Sequence, residues 1–149
     1  MLRALLLALL LCWATPAAAQ QTAMRTGTIV LPQGYTHRPL NGTDSSPGSF
    51  VRADGGFTVH YDIGGMAGTH MSPYRRAECT WYVEHRVDGR RAYTGMIVSE
   101  GRRRIITTIM GERERWSTPA NFTADVRGDR DVAEFMLIVG SYVPRARQP

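Results

Sequence analysis

The sequence predicts an α+β fold: an antiparallel β-meander of about six or seven strands with a C-terminal helix packed on the sheet. Short stretches of alternating or β-branched residues recur along the chain, separated by glycine-containing turns. The last patterned stretch, residues 131–140, carries apolar residues at helical spacing. A helix there covers a sheet face that is otherwise exposed. If residues 131–140 form a strand instead, the fold is all-β.

The N-terminal residues 1–19 are predicted to be a secretory signal peptide. Arg3 supplies a positive start, residues 4–13 are an unbroken apolar run, and three alanines precede Gln20 as a small-residue cleavage site. The apolar run is shorter than the about 20 residues that a membrane-spanning helix needs. We therefore expect no transmembrane segment in the mature chain, and a periplasmic or secreted location.

Residues 20–149 are expected to form a single globular domain. A chain of this size buries roughly two thirds of its unfolded surface, which is enough for a core without disulfides. Cys79 is the one cysteine left after signal-peptide cleavage, so no intramolecular disulfide is expected. A lipoprotein signal ending at Cys12 is the alternative, but leucines stand where such a signal has small residues.

Every basic residue of the chain is arginine. The 18 arginines stand against 13 acidic residues, for a net charge of +5, and loss of Arg3 with the signal peptide leaves +4. Because the arginines are scattered, a GC-rich bacterial genome explains them better than selection for bidentate anion contacts. The positive charge suits an anionic envelope component, or another envelope protein, as partner. No nucleic acid partner is expected, since aromatic residues do not interleave with the basic run.

The element boundaries follow from turn residues and periodicity. Residues 20–27 are expected to fray, and residues 33–48 to form a long loop. Asp54-Gly55-Gly56 and Asp88-Gly89 predict hairpin turns. Strands are predicted over residues 28–31, 49–52, 57–63, 78–87, 90–98, 104–110 and 121–126. In the strand over residues 78–87, alternation places Cys79, Trp81, Val83 and Val87 on one apolar face, which predicts a buried, unreactive thiol.

Residues 131–140 favour a helix over a strand. Asp131 three residues before Glu134 resembles a capping box, which predicts Asp131 as the N-cap. Val132, Phe135, Met136 and Val139 repeat at helical spacing, and Gly140 stands where a terminating glycine is common.

The end of this predicted helix, Ile138-Val139-Gly140-Ser141-Tyr142, resembles the final helix of small exported Mog1/PsbP-like α+β domains. The resemblance covers only this segment of the chain. Domains of that group are mostly accessory or binding modules, so the resemblance implies a binding role and names no chemistry.

The best candidate site is His60-x-Asp62 followed by His70. Side chains two residues apart on a strand point from the same face, so His60 and Asp62 project together. The glycine loop after the strand could bring His70 back over them. Two histidines and a carboxylate can hold a divalent metal and leave positions open for substrate. An ordinary polar strand face is the alternative interpretation.

A second candidate is the run Arg102, Arg103 and Arg104, which with Arg90 and Arg91 could form a basic rim that contacts an anionic surface. Solvated charges that protect a strand edge are the alternative. No catalytic residues and no cofactors are predicted. The leading functional hypothesis is an exported small non-enzymatic binding or accessory domain of unknown ligand. The alternative is a small envelope metal-dependent hydrolase that uses His60, Asp62 and His70.

Overall fold

A computed structural model of the protein describes residues 19–111 and 118–145. All of the predicted signal peptide except its last residue lies outside these ranges. The described part is mostly antiparallel β-sheet with one short α-helix, which is compatible with a mostly β or an α+β fold. Its elements are β1 (Gln20–Met24), β2 (Gly27–Leu31), β3 (Tyr35–Pro39), β4 (Ser46–Arg52), β5 (Thr58–Ile63), a 3₁₀ helix (Pro73–Glu78), β6 (Trp81–Val87), β7 (Arg90–Ser99), β8 (Arg102–Ile109), β9 (Ala120–Val126), α1 (Asp129–Gly140) and β10 (Val143–Pro144).

The ten described strands form two antiparallel sheets rather than one meander of six or seven. The larger has the order β3-β4-β5-β9-β8-β7-β6, and the smaller has the order β1-β2-β10. The large sheet consists of two meanders, β3–β5 and β6–β9, which join where β5 pairs with β9. The chain therefore leaves β5 in the middle of the sheet and must cross to its far edge, which it does through residues 64–80.

The crossing segment lies over the outer face of the large sheet. The backbone N–H of His70 donates to Asn121 Oδ1 of β9 at 3.1 Å, and the N–H of Met71 donates to Thr108 Oγ1 of β8 at 2.8 Å. Met71 packs there in a small apolar cluster with Tyr93 and Ile106. These contacts tie the crossing segment to three neighbouring strands.

Three strands escaped the sequence analysis: β1, β3 and the two-residue β10. β1 occupies residues that were predicted to fray, and β3 lies inside the predicted loop over residues 33–48. Neither has a hydrophobic pattern of its own, because most of their side chains are exposed. They are strands because β2 and β4 offer them backbone partners. Tertiary pairing here overrides weak local propensity.

The predicted strand over residues 78–87 was wrong at its start. The 3₁₀ helix ends at Glu78, and β6 begins only at Trp81. Cys79 precedes the strand, with its Sγ near Met71 Sδ on the outer face, whereas Trp81 pairs with Met96, whose side chain belongs to the inner core. The two side chains therefore do not share a face. Cys79 is free and half-buried, and this burial raises the pKa of its thiol.

The helix prediction is confirmed for residues 131–140, although the helix begins earlier. Gly128 is the N-cap, so the prediction of Asp131 as N-cap was wrong. Asp131 is the third helical residue, and its Oδ2 accepts the N–H of Arg127 at 2.9 Å, one residue before the N–H that a capping box uses. Among the described residues, no helix is both long and apolar enough to cross a membrane.

The main core lies between the inner face of the large sheet, α1 and the small sheet. Phe135, Ile138 and Val139 of α1 are buried against this face. The ring of Tyr142, just after the helix, meets Phe122 of β9 edge-on, with centroids 5.4 Å apart. The helix and the small sheet thus cover the same side of the large sheet, and a cleft remains beside them.

Candidate ligand-binding cleft

The structure places His60 and Asp62 on the outer face of β5, on either side of the inward-facing Tyr61. His60 is exposed, whereas Asp62 is half-buried and lies opposite Asn121 of β9. Asp62 Oδ1 is buried without a hydrogen-bond partner among the described residues. The predicted common face of His60 and Asp62 is therefore present.

The glycine loop after β5 folds back over β9 rather than over β5. The side-chain amide of Asn121 donates to the carbonyl oxygen of Gly68 at 3.0 Å, and its Oδ1 accepts the His70 N–H. His70 is thus held above β9, the neighbour of the strand that carries Asp62. Within residues 19–111 and 118–145, no group of three or more His, Cys, Asp or Glu side chains could hold a metal ion. His60, Asp62 and His70 therefore do not form such a group, and metal binding by them stays a prediction.

The arginine run is divided between the two faces of β8. Arg102 and Arg104 share one face and Arg103 points to the other, because side chains alternate along a strand. Arg104 Nε donates to Asp125 Oδ1 at 2.7 Å, which neutralises part of its charge. Arg91 pairs with Arg86 of β6, at the opposite end of the β7–β8 hairpin from Arg102. Arg90, Arg91 and the run of three therefore do not form one basic rim.

A cleft of about 390 Å³ opens between the β1–β2 turn and the β3–β5 end of the large sheet. Its size falls within the usual range of small-molecule sites. Polar groups and apolar walls both line it. The lining residues are Ala23, Met24, Arg25, Thr26, His37, Pro39, Leu40, Asn41, Gly42, Ser46, Pro47 and Tyr61.

Tyr61 reaches this cleft by crossing over β4. Tyr61 pairs with Gly48 of β4. A Cβ on Gly48 would lie 2.3 Å from Tyr61 Oη and 2.4 Å from its Cζ. The missing side chain lets the ring stack on Phe50, with centroids 5.0 Å apart. The hydroxyl then meets His37 Nε2 of β3 at 2.7 Å. One glycine thus brings residues of β5 and β3 together across the strand between them.

Both members of the Tyr61–His37 pair are uncharged at neutral pH. Burial raises the pKa of Tyr61 to about 12 and lowers the pKa of His37 below its usual value. Either atom can donate in their hydrogen bond, depending on the tautomer of His37. When His37 donates, the O–H of Tyr61 is available to a ligand. When Tyr61 donates, its oxygen keeps a lone pair that can accept from one.

The opposite wall of the cleft is the Arg25-Thr26 turn between β1 and β2. The carbonyl oxygen of Thr26 accepts the Tyr142 hydroxyl at 3.2 Å and the Arg145 N–H at 2.8 Å. At Gly27, a Cβ would come within 2.3 Å of the Val143 carbonyl oxygen, so glycine permits this close approach. The C-terminal segment therefore fixes the turn in place.

Thr26 carries an unsatisfied polar group. Its Oγ1 is buried and has no hydrogen-bond partner among the described residues. Such a group costs about 1–3 kcal/mol when it remains unpaired. In most proteins buried polar atoms are paired, so an unpaired one in the wall of a cleft is uncommon.

Sequence reasoning missed every polar member of this site. His37 lay in the predicted loop over residues 33–48, and Tyr61 lay within the predicted strand over residues 57–63. The available signal was Gly48, a glycine in a strand, which often marks a close approach of another group. No known protein family matches the chain, and no curated protein shows detectable similarity to it.

Proposed function

We propose that the protein is an exported, non-enzymatic binding or accessory domain, and that the cleft between the β1–β2 turn and β3–β5 binds a small organic ligand. Export rests on the signal-peptide pattern of residues 1–19. The finer fold class that goes with this proposal is α+β, with α1 as the covering layer of a Mog1/PsbP-like domain.

The observation that carries the binding role is the unpaired Thr26 hydroxyl in a cleft that also holds the Tyr61–His37 pair. These groups come from three separate elements and converge on one cavity. Convergent polar groups in a largely apolar concavity are the usual anatomy of a ligand site. Both ring groups are neutral, and the lining hydroxyl that contacts a base among the described residues is the Tyr61 phenol, whose raised pKa keeps it protonated. Binding therefore fits this set better than hydrolysis.

A partner protein or an anionic envelope component remains part of the proposal for an accessory domain. The division of Arg102, Arg103 and Arg104 between two faces gives an extended basic surface less support than the sequence suggested. The metal-dependent hydrolase is not proposed, because His60, Asp62 and His70 do not form a metal-binding group within the described ranges.

A fragment screen with backbone amide NMR tests the proposal. We expect hits whose shift changes cluster at the β1–β2 turn, β3 and the start of β4. Gly48→Ala should abolish these changes, because its methyl group would displace the Tyr61 ring. Gly65→Ala is the matched control, since a Cβ there meets nothing within 4 Å. Hits that act elsewhere on the protein, or that survive unchanged in Gly48→Ala, would overturn the assignment.

A further inference from the structure

The charge of the cleft narrows its ligand class. Arg25 is the one charged residue among the described lining residues, and none of them is acidic. A site with a cation and no carboxylate favours an anionic ligand, because an anion gains attraction without meeting repulsion. Four other arginines have carboxylate partners: Arg52, Arg75, Arg104 and Arg130. Arg25 has no such partner among the described residues.

The donors and the apolar wall lie side by side. Arg25 and Thr26 are consecutive residues of one turn and both line the cleft, and Thr26 Oγ1 is buried without a hydrogen-bond partner among the described residues. Guanidinium groups match the planar oxygens of carboxylates and the oxygens of phosphates. The apolar part of the lining consists of Ala23, Met24, Pro39, Leu40 and Pro47.

We infer that the cleft takes a small organic anion, with its carboxylate or phosphate at the Arg25-Thr26 turn and its apolar part against Pro39 and Pro47. This inference rests on the proposed function. Tyr61 and His37 then meet the middle of the ligand, where a neutral pair places no second charge beside the anion. Because Arg25 is exposed, the attraction should weaken as salt is raised.

The test compares matched aromatic probes. Benzoate and phenyl phosphate carry the two anionic groups, and benzamide is the neutral counterpart of benzoate. Titration of each into the purified protein, followed by amide NMR, should show at least one anion binding at the cleft about tenfold more tightly than benzamide, as one charge-assisted contact provides. Arg25→Gln should reduce this preference to less than about twofold. Arg38→Gln is the control, because Arg38 is exposed on the outer face of β3.

The outcomes separate the two proposals. Equal binding of benzoate, phenyl phosphate and benzamide at the cleft would overturn the anion preference and leave the cleft as a ligand site. A preference that survives Arg25→Gln would also overturn it. If none of the three probes shifts the cleft amides, both the ligand class and the cleft assignment are wrong.

Discussion

Polar side chains meet beside each end of the inner face of β4, and the two ends differ in whether these polar groups have partners. At its C-terminal end, Arg52 Nη1 contacts Glu134 at 2.9 Å and Asp131 at 3.2 Å, while its Nε contacts Asp54 at 2.9 Å. The hydroxyl of Tyr35 completes this cluster by donating to Glu134. At the N-terminal end, Gly48 leaves room for Tyr61 and His37, and across the cleft Thr26 Oγ1 has no partner in the part of the chain that the structure describes.

The difference separates a structural cluster from the proposed binding site. In the Arg52 cluster every charge meets an opposite charge from another element, so the cluster joins α1 to the sheet. Hydrogen bonds from Tyr35, Arg130 and Arg52 hold the pKa of Glu134 below its usual value against the effect of burial. In the cleft, by contrast, the Thr26 hydroxyl has no hydrogen-bond partner among the described residues. A ligand that pairs with the Thr26 hydroxyl would remove a cost that the free protein carries.

The largest expected effect is that of Arg52→Met. This change keeps an apolar stem but leaves Asp131 without its cation and Glu134 with only the exposed Arg130, so it should lower the free energy of unfolding by about 3–5 kcal/mol. Arg104→Met is the control. It breaks an exposed pair with Asp125 and should cost less than about 1 kcal/mol. Urea unfolding of both variants measures the difference, and equal losses would show that the Arg52 cluster is not the structural one.

Gly48→Ala should have the next largest effect. The new methyl group would overlap Tyr61, and overpacking of this kind costs about 1–3 kcal/mol. Gly65→Ala should be neutral or slightly stabilising, because its Cβ meets nothing and the substitution restricts the unfolded chain. The same urea measurement applies. Unchanged stability in Gly48→Ala would mean that Tyr61 does not lie over β4 as described.

Asp131→Ala should lower the free energy of unfolding by about 1–2 kcal/mol. It removes the acceptor of the Arg127 N–H and one of the three carboxylates around Arg52. The loss should be smaller in the Arg52→Met background, because part of the interaction is already absent there. Additive losses in this double-mutant cycle would show that Asp131 acts on the helix start alone.

The smallest expected effect is a pH dependence from His37. Its pKa is lowered in the folded state, so the unfolded state binds more protons once the pH falls below about 6.5. Stability should therefore be unaffected by His37 above this pH and should decline as the pH falls toward the folded pKa. His85 has a pKa lowered by burial as well and acts in the same direction.

The measurement compares the parent with His37→Gln between pH 8 and pH 5. The decline between pH 7 and pH 5 should be shallower in the variant. Paired carboxylates such as Asp125 and Glu134 have lowered pKa values, so their contribution is present above about pH 4.5 and is lost below it. A decline that is identical in parent and variant would mean that His37 is not buried against Tyr61.

The sequence predicted the elements that carry their own pattern. The β4–β5 hairpin around Asp54-Gly55-Gly56, the β6–β7 hairpin at Asp88-Gly89 and the helix all have turn or periodicity signals, and all are present. Asp88 even adopts the positive φ of 48° that such a turn requires. Strands β1 and β3 could not be predicted, because their stability comes from partners rather than from their residues.

The site was hidden for a related reason. Strand alternation correctly placed His60 and Asp62 on one face, but no local pattern states that β5 pairs with β9 or that Tyr61 crosses β4 to reach His37. The position of Thr26 in the wall of the cleft depends on Tyr142 and Arg145, which lie more than 100 residues further along the chain. Contacts of that sequence separation become visible only in the folded structure.

The most direct test of the cleft as the ligand site is a crystal structure of the protein with the tightest-binding fragment or probe. We expect the bound molecule between the β1–β2 turn and β3–β5, with a polar atom within hydrogen-bond distance of Thr26 Oγ1. We also expect a contact with Tyr61 or His37. A molecule bound on the outer face beside His60 and Asp62, with the cleft unoccupied, would contradict it.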